Sequence, residues 1–210
     1  MKNLFLTSYF SGAANLLPKF AGGLSQKKVC FIPTASIVEK ITFYVDADKK
    51  ALFKLGLEVN ELEISNAGSK EIKDKIANAD IVFVEGGNTF FLLQELKRTK
   101  TDELILEHIK KSKLYIGASA GAMVVCPNIE YVKYMDNPGK APKLNGNFSA
   151  LNIVDFYIVA HYGEFPFKKA SQKIIADYSE KIDLRLINNK QAIAVKGGKV
   201  EILTTSKKEK

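Results

Sequence analysis

Short apolar runs alternate with longer stretches of helical spacing along the first half of the chain. Asn3 to Tyr9, KVCFIP at 28–33, the alternating Leu57 to Ile64, DIVFV at 80–84 and Leu114 to Ile116 read as strands. Between them, SGAANLLPKFAGGL predicts a short helix closed by Gly22-Gly23, and TASIVEKITFYVDADKKALFKLG a long helical stretch stopped by Gly56. A weaker helix covers Ser69 to Ala77. Thr89 is positioned to cap FFLLQELKR, and Thr101 to Lys111 forms one more helix. Strands that are apolar on both faces, separated by helices, predict an α/β fold: three layers, a mostly parallel sheet with helices on both faces. Ligands of such sheets bind beyond the carboxyl ends of the strands.

The second half changes character. Glu130 to Tyr134 reads as a short strand, and DNPGKAPKLNGN, starting at Asp136, as a polar loop. IVDFYIVA at 153–160 is a strongly apolar strand that delivers His161 at its carboxyl end. The segment PFKKASQKIIADYSEKI has helical spacing with a proline in its first turn. LRLI and AIAVKGGKVEIL, with turns at Asn188-Asn189 and Gly197-Gly198, predict a terminal β-meander ending in a β-hairpin. No repeat or long linker interrupts the chain, so residues 1–210 are expected to form a single domain.

Two glycine turns fall at the sheet's carboxyl edge. The first is Glu85-Gly86-Gly87-Asn88. The second, Gly117-Ala118-Ser119-Ala120-Gly121, fits the G-x-S-x-G elbow, in which a strained strand-to-helix turn lifts a serine out of the sheet edge. The bland alternative is a tightly packed helix start.

Composition narrows the class. With 46% hydrophobic and 26% charged residues, the 210-residue chain is an ordinary globular protein. Cys30 and Cys126 lie in apolar segments and fit reduced, buried thiols. The apolar run after Lys2 is too short for a secretory signal, and no segment approaches a membrane span, so a cytoplasmic location is expected. The net charge of +8 comes from dispersed lysine pairs and a frayed KKEK tail; only Arg98 and Arg185 supply guanidinium forks, which argues against nucleic-acid binding.

A serine nucleophile needs a base, and the base needs a group that fixes its tautomer. Of the two histidines, His108 lies mid-helix among charged residues, which leaves His161 as the base. Asp155 is excluded as the third member, because six strand residues put it roughly 20 Å from His161. Glu164, Glu85 and Asp136 remain. The N–H of Ala120 at the head of the elbow helix and that of Gly87 in the EGGN turn are candidate oxyanion donors, with Asn88 beside them as a candidate substrate contact. Neither a P-loop lysine nor G-x-G-x-x-G is present, and no metal or cofactor is expected.

EGGNTFFLL, YIGASAGAMV and the histidine of VAHYGE together resemble the peptidase S51 family, the aspartyl dipeptidase (peptidase E) group with its cyanophycinase relatives. The resemblance implies a fold similar to class I glutamine amidotransferases and a Ser-His-acid triad in the order serine, acid, histidine. That order falls on Ser119, Asp136 and His161, with Gly87 and Ala120 at the oxyanion hole. Members selecting an N-terminal aspartate look arginine-rich just after the histidine, whereas this chain has GEFPFKKASQKI there, with no arginine and with Lys168 or Lys169 as the candidate cations. The expectation is therefore a serine peptidase of small peptides, a monomer or small homo-oligomer, with aspartyl selectivity in doubt. An α/β-hydrolase-type esterase or amidase and a non-catalytic peptide binder are the alternatives.

Overall fold

The computed structural model describes residues 1–205; the KKEK tail lies outside the described residues. Its centre is a seven-stranded sheet in the order β3-β2-β4-β5-β1-β8-β9. The strands are β1 (Asn3–Thr7), β2 (Lys28–Ile32), β3 (Glu58–Glu61), β4 (Ile81–Val84), β5 (Leu114–Ala118), β8 (Gln191–Lys196) and β9 (Lys199–Thr204). The first five run parallel, and the hairpin β8–β9 adds antiparallel to the free side of β1. This is the expected three-layer α/β fold with its C-terminal hairpin.

Alternate residues of the central strands feed two apolar layers. Leu4, Leu6, Ile32, Val82, Val84 and Tyr115 pack on one face under the helices α4 (Ser69–Asn78), α5 (Thr89–Thr99) and α6 (Thr101–Lys110). Phe5, Phe31, Ile81, Phe83 and Ile116 pack on the other, under α1 (Phe10–Ala13), α2 (Leu17–Ala21) and α3 (Phe43–Lys54). Such continuous burial of both faces is what a parallel sheet requires. Among the described residues, no helix is long and apolar enough to cross a membrane.

Four local expectations are corrected. The helical stretch after Pro33 is a 3₁₀ turn at Thr34–Ser36 and then irregular backbone; helix begins only at Phe43. The intervening IVEKIT is rich in β-branched residues, which restrict helix-compatible rotamers. Glu130–Tyr134 is a 3₁₀ helix rather than a strand. Asn128 Oδ1 accepts the Glu130 N–H at 2.7 Å to start the turn, and the i to i+3 bonds from Val132 N–H to the Ile129 carbonyl and from Met135 N–H to the Val132 carbonyl continue it.

The apolar strand before His161 shortens to β6 (Tyr157–Val159) and leaves the main sheet. It pairs in parallel with β7 (Leu184–Leu186), which is consequently not part of a meander with β8. The pairing runs from Tyr157 opposite Leu184 to Val159 opposite Leu186 and continues in the bond from the Tyr162 N–H to the Ile187 carbonyl. Finally, the cap of α5 is Asn88, whose Oδ1 accepts the Phe91 N–H at 3.0 Å, because Thr89 is bonded elsewhere. Helices α7 (Ala120–Met123) and α8 (Lys168–Tyr178) complete the chain.

Candidate active site

Between β4 and β1, β5 carries the elbow at the carboxyl edge. Ser119 has φ 45° and ψ −106°, a conformation few L-residues adopt, held by its N–H donating to the Thr7 carbonyl at 2.9 Å. Its own carbonyl accepts from the N–H groups of Ala122 and Met123, each at 2.9 Å, which opens α7 immediately. Gly121 lets the turn close: a Cβ there would lie 2.0 Å from the Val84 carbonyl oxygen. The elbow expected at 117–121 is therefore formed.

His161 reaches this serine from the small sheet. Its backbone, in the left-handed region at φ 54°, is fixed by an N–H bond to Ser8 Oγ at 2.9 Å, and Ser8 in turn donates to the Ile187 carbonyl. Phe167 stacks on the imidazole at 4.8 Å between ring centroids. Nε2 lies 2.9 Å from Ser119 Oγ, and Nδ1 lies 2.7 Å from Asn189 Oδ1. An amide oxygen can only accept, so Nδ1 carries the proton and the Nε2 lone pair faces the serine hydroxyl. Burial holds the imidazole pKa below its ordinary value, with the Asn189 bond opposing the shift. The neutral base form is thus favoured.

The residue behind the histidine is a correction. Asp136 does not orient His161: its Oδ2 accepts the Thr89 N–H at 2.8 Å and the Thr89 hydroxyl at 2.5 Å. It sits over the start of α5, where a carboxylate complements the first-turn N–H groups. Burial nevertheless raises its pKa to about 6. Glu164 donates its N–H to the His161 carbonyl, and the Glu85 carboxyl accepts from the Gly86 N–H at 2.7 Å, so neither supplies the partner of Nδ1. That partner, Asn189, is a carboxamide rather than an acid. Its signal was the Asn188-Asn189 turn, which precedes the hairpin at the same sheet edge. His108 is buried in α6 with Nε2 3.0 Å from the Leu114 carbonyl, a packed histidine far from this chemistry.

The EGGN turn lies directly against the elbow. A Cβ built on Gly86 would be 3.1 Å from that of Ser119, and Gly87, at φ 134°, passes so close to Ala35 that a Cβ would lie 2.2 Å from its carbonyl oxygen. Only glycine permits that approach. Gly87 lines the cavity beside Ser119, and Ala120 begins α7, so both expected oxyanion donors come to the same edge. The Asn88 side chain is used structurally, capping α5 through Oδ1 and donating from Nδ2 to the Asn137 carbonyl at 3.2 Å.

A cavity of about 790 Å³ opens over Ser119 and His161. Tyr9, Phe43, Tyr44, Phe165 and Phe167 contribute aromatic walls, and four carboxyl groups line it: Glu39, Asp48, Glu85 and Asp136. Lys40 and Lys140, both exposed, are its lysines; Lys168 and Lys169 are not part of the lining. Both arginines are committed elsewhere, Arg98 to Glu95 and Arg185 to Asp183. Among the described residues, no group of His, Cys, Asp and Glu could hold a metal ion.

A serine elbow in contact with a neutral histidine, at the carboxyl edge of a mostly parallel α/β sheet, has the make-up of a hydrolase site. The sequence profile of Peptidase family S51 matches residues 4–203, so the chain belongs to that family and is a peptidase. It is 53% identical over 195 residues to the uncharacterized peptidase PM1590 of Pasteurella multocida, covering 93% of this chain and 94% of that one. It is 35% identical over 140 residues to Peptidase E of a Nostoc species, covering 67% of this chain and 54% of that longer protein. The crystal structure of a candidate peptidase E protein from Listeria monocytogenes superposes with a TM-score of 0.94 at 50% identity, over 98% of this chain and all of that one.

Proposed function

We propose that the chain is a serine peptidase of small peptides, dipeptidase-like, working through an acyl-enzyme with Ser119, His161 and Asn189. Ser119 Oγ attacks the scissile carbonyl while His161 Nε2 takes its proton. The imidazolium that forms is held by Asn189 Oδ1, which also keeps the productive tautomer. The N–H groups of Ala120 and Gly87 stabilise the developing oxyanion, His161 returns the proton to the leaving amine, and water activated by the same imidazole releases the acyl group. The observation that carries this reading is the continuous relay Ser119–His161–Asn189, at 2.9 and 2.7 Å. A carboxamide in the third position is chemically sufficient, as Cys-His-Asn peptidases illustrate. The absence of arginine from the cavity lining argues against selection for an N-terminal aspartate.

Two assays test it together. A fluorophosphonate probe should label wild type and spare Ser119→Ala, and a dipeptide library should be cleaved by wild type only. Labelling that persists in Ser119→Ala, or cleavage unaffected by it, sinks the proposal. An ester series run alongside separates peptidase from simple esterase activity.

A further inference from the structure

One part of the cavity is not used by the relay. Two places beyond Phe83 on β4, Glu85 continues the face covered by α1 and α3, and Asp48 of α3 comes down over it. Both side chains are fully buried, at 1% and 0% exposure. Each is satisfied at one oxygen only: Glu85 Oε1 accepts the Gly86 N–H at 2.7 Å and Asp48 Oδ1 the Ser11 N–H at 2.8 Å. Glu85 Oε2, Asp48 Oδ2 and the nearby Tyr44 hydroxyl have no hydrogen-bond partner, and all three residues line the cavity that holds Ser119.

Buried acceptors in folded proteins are almost always paired, so two orphaned carboxyl oxygens in a ligand-sized cavity call for donors. Among the described residues, no cation is bonded to these oxygens. Lys49, the closest lysine in influence, is engaged at the surface with Glu61 at 3.0 Å and Asp46 at 3.5 Å, and Lys40 and Lys140 are exposed. Burial holds both carboxyls above their ordinary range, and the Asp48 charge pushes Glu85 further the same way, a cost that a bound cation would offset. The aromatic walls suit an aliphatic stem or a cation over a ring face.

We propose that Asp48 and Glu85 form a subsite for a cationic group of the peptide, an ammonium or a guanidinium. Its orphaned oxygens accept the N–H donors of that group while the neighbouring residue's carbonyl lies over Ser119. The assignment of a peptide to the subsite rests on the function proposed above; the cation binding itself does not. Two chemical sources share this chemistry, the free amino terminus and a basic side chain of the first residue.

Isothermal titration of n-butylguanidinium into wild type, Glu85→Gln and Asp48→Asn reads the subsite without catalysis. Saturable binding to wild type, weakened at least about tenfold in either folded variant, supports the proposal; equal binding to all three, or none to wild type, overturns it. Steady-state cleavage of Lys-Ala, norleucine-Ala and their N-acetyl forms then separates the sources. A loss of kcat/KM on acetylation that vanishes in Glu85→Gln assigns the amino terminus. A lysine advantage over norleucine that survives acetylation and vanishes in Glu85→Gln assigns the side chain. Rates insensitive to both charges overturn the proposal. Failure of the serine chemistry would show instead as absent probe labelling, with the titration still readable.

Discussion

Asn189 is the residue on which the catalytic reading turns. Asn189→Ala deletes the acceptor 2.7 Å from His161 Nδ1 and leaves the 2.9 Å contact to Ser119 in place. The imidazole then loses its tautomer bias, and the imidazolium formed during attack loses a partner. A hydrogen bond to a charged group is worth about 1.5–3 kcal/mol. At about 1.4 kcal/mol per decade, kcat should fall about 10- to 150-fold, with KM changed much less because the bond strengthens in the transition state. Asn189→Asp restores an acceptor and adds a negative charge that favours imidazolium. Since His161 must be neutral to act as base, the limb on which kcat/KM rises with pH, below the usual histidine range in wild type, should move to higher pH. Asp136→Asn, which alters the contact with Thr89 and the cavity wall but no bond to His161, should leave that limb in place. The assay is dipeptide hydrolysis across the pH range for all four enzymes. Wild-type kcat in Asn189→Ala together with a collapse in Asp136→Asn would refute the argument.

Three further outcomes follow from the same geometry. Ser119→Gly should abolish turnover yet raise stability by about 1 kcal/mol, because it relieves the strained backbone at φ 45°; thermal unfolding should shift up by roughly 2–4 °C. Asp48 has its folded pKa raised to about 7 from 3.8, so the native state binds its proton more tightly than the unfolded chain. That stabilisation is complete below the unfolded value and is lost as pH rises through 7. Urea midpoints should therefore fall between about pH 6.5 and 8.5, above the range where the buried His108 opposes the trend, and fall less in Asp48→Asn. Cys30 and Cys126 are buried, with thiols pushed up to about 12, so a thiol reagent should titrate them only after unfolding; reaction in the native state would contradict their burial.

The elements that could be read from the chain are those decided by local chemistry. Apolar runs such as IVFV at 81–84 are strands because they are buried on both faces, and the glycine pattern around Ser119 permits one kind of turn. Where neighbours in space decide, local pattern does not settle the structure. The segment before His161 has the hydrophobicity of a sheet strand, but only Tyr157–Val159 forms one, and it pairs with β7 outside the main sheet. Thr89 looked like a cap, but Asp136, 47 residues away, bonds both its donors and leaves the capping to Asn88.

The active site divides along the same line. Sequence alone singled out the proposed nucleophile, its elbow, the second glycine turn and the proposed base, since each is written in a contiguous motif or follows from there being two histidines. Only the tertiary structure decided what stands behind the base. Hydrogen-bond partners of a histidine are chosen by distance, and the β6–β7 pairing, continued by the bond from the Tyr162 N–H to the Ile187 carbonyl, brings Asn189 to Nδ1, although it lies 28 residues further along. Tertiary contacts of other elements hold Asp136 at the head of α5 through Thr89, and bring Asp48 of α3 and Glu85 beyond β4 into one cavity.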